Sequence, residues 1–302
     1  MTLDEVRSKY SSGPVKLVDG NGGLPMLQVR TPLAEADIYL HGSHITHFRP
    51  QGHDPVLFMS KSSNFAAGKP IRGGVPVCGP WFGAKKDDSS APGHGIFRLQ
   101  SWSVQSISTL PHGDVEIALQ LLQSDLSRKY WPYNFTIEHR IRIGKELSMS
   151  LTMKNTDSRT FTFDEALHTY FVVGDIKQVS VSGLKGVQYI DKAPDMQRLT
   201  QQEDPIRFTA ETDRHYVKTT ATTTIDDPSP AMRRRITIAK FGSKSTVVWN
   251  PWIAKSKAMP DFGDDEWPGM LCVETANAAD DQITLTPGQS HLMQAFISVE
   301  KL

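Results

Sequence analysis

Two ionisable side chains interrupt apolar runs in this chain, and together they could serve as an acid and a base. His168 lies in Glu165-Ala166-Leu167-His168-Thr169-Tyr170-Phe171, just downstream of a long run of alternating hydrophobics. An imidazole, which ordinarily titrates near neutrality, is the side chain suited to giving up and regaining a proton there. Glu274 lies in Leu271-Cys272-Val273-Glu274-Thr275-Ala276, where a carboxylate on an apolar strand must be paired, solvated or functional. We take His168 as the candidate acid and Glu274 as the candidate base. Each has a plainer explanation: taken alone, such a histidine is more often a hydrogen-bonded core residue, and the glutamate could pair with a buried arginine.

Two glycine-rich stretches add polar groups of another kind. Residues 70–83, PIRGGVPVCGPWFG, set Arg72, Trp81 and Phe82 among glycines and prolines, too irregular for a helix and too broken for a central strand. This reads as a binding loop, or else as a connection whose arginine faces water. Residues 92–98, PGHGIFR, offer His94 and Arg98 beside glycines that let a ligand approach the backbone. No GxxxxGK[ST] leads into a helix, so neither is a phosphate-binding P-loop. Trp81, Phe82, Trp249 and Trp252 suit sugar stacking and core packing equally.

The elements that must position these groups are short strands. Val115, Ile117, Leu119 and Leu121 alternate along the chain, as do the apolar positions of residues 135–143 and 147–153, the period of strands with one buried face. Gly144-Lys145-Glu146 predicts an antiparallel hairpin between the last two. Similar runs recur at residues 15–17, 26–29, 36–47, 179–181, 236–238, 247–249, 283–285 and 293–299. No long stretch carries a 3.6-residue apolar period, so the expectation is all-β: a large antiparallel β-sandwich in a single domain over 1–302, with its core at about 14–300. Arg233-Arg234-Arg235 reads as a solvated strand edge, and Asp264-Asp265-Glu266 as surface, because adjacent acids lack the spacing of a calcium loop. Asp213 falls in a polar stretch that suits a turn or cap.

Composition narrows the partners. Lys plus Arg and Asp plus Glu both number 33 in 302 residues, so no overall field draws the chain to nucleic acid or an anionic membrane. The apolar runs fall short of a membrane span and the opening residues do not resemble a secretory signal. Cys78 and Cys272 form no CxxC and suit reduced thiols in a cytoplasmic protein. The expected partner is a small molecule, and the expected state a monomer.

In order along the chain, PIRGGVPVCGPWFG (70–83), GHGIFR (93–98), EALHTYF (165–171), GLKGVQYIDK (183–192), TDRHY (212–216), VVWNPW (247–252) and CVETAN (272–277) resemble the hexose-6-phosphate mutarotases, or glucose-6-phosphate 1-epimerases, of the galactose mutarotase (aldose 1-epimerase) superfamily. The resemblance implies a galactose-mutarotase β-sandwich and exchange of the α and β anomers of a sugar 6-phosphate. It implies His168 as general acid, Glu274 as general base, Arg72 and Arg98 as substrate-binding arginines, Asp213 toward sugar hydroxyls, and His94 as a second contact to the ring oxygen or a hydroxyl. One position departs from the family: Gly93 stands where a glutamine often precedes the His-Gly pair.

Anomer exchange asks for this constellation on chemical grounds. The C1 hydroxyl must lose a proton while the ring oxygen gains one, so one base and one acid on opposite sides suffice, with neither a redox cofactor nor a metal. Two other readings share the residues. A carbohydrate-binding β-sandwich would hold the sugar without turning it over, and a metal-dependent isomerase would ligate a cation with His94, His168 and Glu274, although no HxH or HxxxH pair supplies two ligands from one element. A free-aldose 1-epimerase is the nearest enzymatic alternative.

Overall fold

The structure is a computed structural model that describes residues 1–193 and 196–302. Its strands form an antiparallel β-sandwich whose main layers, among the described residues, are a nine-stranded and an eight-stranded sheet, with a four-stranded sheet at the N-terminal end. In the nine-stranded sheet, Phe135–Ile143 and Leu147–Asn155 are joined by the tight turn at Gly144, with Ile143 opposite Leu147. Both bury alternate residues, as the sequence pattern requires of a sheet with one face on the core.

The central strands of the eight-stranded sheet are different. Ser245–Asn250 and Met270–Asn277 are buried at every position, because one face packs on the core and the other is roofed by loops. That roofed face holds the polar residues considered below. The helices are short. Leu3–Lys9 starts at a capping box between Thr2 and Glu5, and no helix among the described residues is long and apolar enough to cross a membrane.

Two expectations about charged runs need correction. Arg234 is not a solvated edge residue: its strand, Arg234–Phe241, lies inside the nine-stranded sheet between Thr223–Asp227 and Ser290–Lys301, and its side chain is 2% exposed. Its guanidinium donates to the carbonyls of Asp54, Pro55 and Val172, so it ties the outer loops to the neighbouring layer. Glu266 is also more than surface, since it accepts from the backbone N–H groups of Lys61 and Gly263 and so pins two loops together.

Candidate active site

Glu165–Leu167 pairs antiparallel with Met270–Asn277, Glu165 facing Asn277 and Leu167 facing Thr275, and after a short break Tyr170 resumes the same register against Cys272. Carried through the break, that register sets His168 across from Glu274. Side chains alternate along strands, so Ala166, His168 and Tyr170 share one face with Cys272, Glu274 and Ala276. Neighbouring strands extend the rows: Val247 and His215 continue from Glu274, and Trp249 and Asp213 from Cys272. The polar groups of TDRHY and CVETAN thus reach the same face by period-two spacing.

His168 Nδ1 lies 3.3 Å from Glu274 Oε1. The histidine is fixed by its backbone N–H, which donates to the Pro76 carbonyl, and by its ring, which lies flat on Tyr170 with centroids 4.8 Å apart. The contact has ion-pair reach without hydrogen-bond alignment, since His168 Nδ1 and Glu274 Oε2 are buried with no hydrogen-bond partner. Burial pushes Glu274 well above the ordinary carboxylate range, against the pull of Lys192. Burial, then His94, push His168 well below the usual histidine value. Low-dielectric surroundings disfavour both charges.

The pair opens on a cavity of about 310 Å³ that Arg72, His94, Arg98 and Asp213 also line. All six candidate residues therefore meet at one place. A groove of about 930 Å³ on the four-stranded sheet is larger, but there Asp37 is already paired with Arg30 at 2.8 Å, and among the described residues no buried acid faces a base in it.

Each lining residue is held in its own way. Arg72 Nη2 donates to both oxygens of Asp261 at 3.1 Å, and its Nη1 to the Tyr170 hydroxyl. Arg98 is buried and donates from Nη2 to the Gly93 carbonyl at 2.7 Å. His94 has a φ of +61°, and its N–H donates to Gly83 O at 2.6 Å. The next residue is glycine for a steric reason: a Cβ on Gly95 would sit 1.9 Å from the Gly79 carbonyl. Burial, then Arg98, push the His94 imidazole well down. Asp213 is not in a turn or cap. It lies within the central strand Thr212–Tyr216, where burial raises its carboxyl against Lys192 and Lys255.

Sequence reasoning missed Lys192 and Lys255, which line the same cavity. Lys255 Nζ lies 3.1 Å from Glu211 and 3.8 Å from Asp213. Lys192 Nζ stands 5.0 Å over the Phe82 ring, and among the described residues no carboxylate lies within ion-pair distance of it. Its only sequence signal is its place at the end of GLKGVQYIDK. The aromatic ambiguity also resolves. Phe82 and Trp249 line the cavity, Phe82 with its ring edge to His94 at 4.7 Å, whereas Trp81 turns its indole N–H to the Pro92 carbonyl and Trp252 packs on Trp267. At Gly93 there is open space: an added Cβ would meet nothing nearer than Gly83 O at 3.9 Å.

The aldose 1-epimerase family pattern matches residues 25–295. The chain belongs to that family. A protein of Cenchrus ciliaris named "Putative glucose-6-phosphate 1-epimerase" is 37% identical, over 84% of this chain and 78% of its own. One of the same name from Escherichia coli K12 is 36% identical over 90% of both chains. Among solved structures, a "putative mutarotase" from Salmonella typhimurium superposes with a TM-score of 0.86 at 31% identity, covering 95% of this chain and 97% of that one. The galactose mutarotase related enzyme of Lactobacillus acidophilus, at 13% identity and a TM-score of 0.72 over 91% of this chain and 97% of that one, shares the fold of the family.

Proposed function

We propose that this aldose 1-epimerase family member interconverts the α and β anomers of hexose 6-phosphates, glucose 6-phosphate among them. The observation that carries the reading is the buried His168–Glu274 pair, 3.3 Å apart, in a cavity lined by four cationic side chains, Arg72, Arg98, Lys192 and Lys255. Glu274 takes the proton of the C1 hydroxyl while His168 protonates the ring oxygen, and the bond between C1 and that oxygen breaks to leave an aldehyde. Rotation about C1–C2 presents the other carbonyl face, and the same groups run the steps in reverse. Both reacting oxygens are bonded to C1, so an acid and a base side by side can serve both.

Ring opening turns a charged pair, imidazolium and carboxylate, into a neutral one, and closure restores it. Burial disfavours both charges and so favours the neutral pair that ring opening leaves. His94, held neutral by burial, can hydrogen-bond the ring oxygen or a hydroxyl without adding charge, and Asp213 is placed for sugar hydroxyls. For the phosphate, Arg98 and Lys192 are the freer cations, because Arg72 is already engaged by Asp261. Guanidinium and ammonium contacts to a remote phosphate orient C1 for reaction.

One continuous buried cluster runs from Val6 to Ile297, which supports a single mutarotase-like domain over 1–302. The unpaired, buried thiols Cys78 and Cys272 support a reducing, cytoplasmic setting. The substrate is tested by comparing kcat/KM for glucose 6-phosphate and glucose by polarimetry. The phosphorylated sugar should be strongly preferred, and Lys192→Ala or Arg98→Ala should erode that preference. Equal efficiency on both sugars in the unaltered protein would move it to the free-aldose branch.

A further inference from the structure

We propose that His168, Cys272 and Glu274 form a site for one thiophilic divalent cation, Zn²⁺ in the first instance, whose occupation switches anomer exchange off. Cys272 takes no part in the proton transfers, yet strand alternation sets it on the same face as Glu274, two residues away. A ring nitrogen of His168, the Cys272 sulfur and a Glu274 oxygen lie within 4.8 Å of one another. Donors around a tetrahedral zinc ion sit roughly 3.3–3.8 Å apart, given metal–ligand bonds of about 2.0–2.3 Å. The His168 Nδ1 to Glu274 Oε1 separation is 3.3 Å, so two of the three are spaced for the ion, and the Cys272 sulfur lies within 4.8 Å of a donor atom on each.

Two further observations point to a ligand. His168 Nδ1 and Glu274 Oε2 are without hydrogen-bond partners on side chains exposed by only 8% and 1%, and an ion would use lone pairs that the fold leaves idle. The charges also cancel. A neutral imidazole, a thiolate and a carboxylate balance a dication, which removes most of the penalty for burying it. On binding, the Cys272 thiol and the His168–Glu274 pair each release one proton to solvent, and water would complete the coordination from the cavity that His168 and Glu274 line. The sulfur donor selects Zn²⁺, Cd²⁺ or Co²⁺ over Mg²⁺ and Ca²⁺. A bound ion occupies the lone pairs of both the proposed acid and the proposed base, so it inhibits. The inhibition rests on the acid–base reading above, but the ion site does not.

Co²⁺ titrated into the purified protein is the direct probe, because thiolate coordination gives a sulfur-to-metal charge-transfer band and tetrahedral geometry gives intense visible bands. At one equivalent the unaltered protein and Cys78→Ala should show both, and Cys272→Ala and Cys272→Ser should lose the charge-transfer band. Zn²⁺ should inhibit anomer exchange reversibly by chelator. Cys272→Ala, with folding checked by circular dichroism, should keep its exchange activity while its Zn²⁺ affinity, read with a competing dye, falls by more than about a hundredfold, beyond the loss typical of an outer-shell partner. No band in the unaltered protein, a band that survives loss of Cys272, or equal Zn²⁺ inhibition of both proteins would overturn the site. A cobalt band in a protein that shows no anomer exchange even without metal would uphold the ion site and refute the catalytic reading instead.

Discussion

In the proposed mechanism Glu274 and His168 hold one proton between them, so their titrations belong to the pair. Glu274→Gln and His168→Ala should each lower turnover by about 10²–10⁴, the usual worth of one acid–base group, with the circular dichroism spectrum unchanged. The double variant should lose little more than the worse single one, because residues acting as a unit are not additive. With Glu274→Gln the pH profile simplifies. The residual rate needs a protonated His168, and burial holds that imidazole below its ordinary 6.5, so the rate should be highest in acid and fall as pH rises through a point below 6.5. A residual rate that instead rises with pH would mean that His168 is not the acid. Five of the six candidates were legible because each breaks a local rule, a charge or imidazole in an apolar run or beside clustered glycines, whereas Asp213, in a polar stretch, was reached only through the family resemblance. Lys192 and Lys255 break none, since a lysine after a strand or on a short helix reads as solvated; only the fold turns them inward.

At the scale of elements, the strands with one dry face were legible, residues 115–121, 135–143 and 147–153 above all, because alternation alone specifies them. Thr212–Tyr216 was not. Its residues Asp213 and His215 face the cavity side, so the strand lacks the apolar face that marks such elements. Arg234 was misread for a related reason, as its charge is met by backbone carbonyls that no sequence pattern reveals. Arg234→Ala would leave those carbonyls without a donor and should destabilise the protein by about 3 kcal/mol, within the range expected for buried unsatisfied groups, as measured by urea unfolding.

A second pair, half-buried, joins the site strands to the opposite sheet: His291 Nε2, on Ser290–Lys301, lies 3.1 Å from Glu165 Oε1 on the strand leading to His168. Burial alone would lower His291, but the hydrogen bond and the charge of Glu165, with the Gly242 carbonyl, together outweigh it and leave the imidazole raised above 6.5. A raised folded-state value means that the stability contribution is full below the unfolded pKa and is lost as pH rises through the folded one. Thermal unfolding should therefore show a stability term that declines on going alkaline from about 6.5, and His291→Ala should remove it.

For the molecule as a whole, charge balance and local charge part company. Equal numbers of acids and bases, 33 each, give no long-range field, yet the cavity gathers four cations. Added salt should raise KM for glucose 6-phosphate more than for glucose, and inorganic phosphate should compete only with the phosphorylated sugar. The central claim is that a buried acid–base pair opens and recloses a sugar ring. It is tested most directly by magnetisation exchange between the anomeric protons of glucose 6-phosphate, recorded by NMR with catalytic amounts of the unaltered protein and of Glu274→Gln. The account predicts exchange far above buffer with the first and close to buffer with the second. No acceleration for any hexose 6-phosphate, or equal acceleration by both proteins, would contradict it.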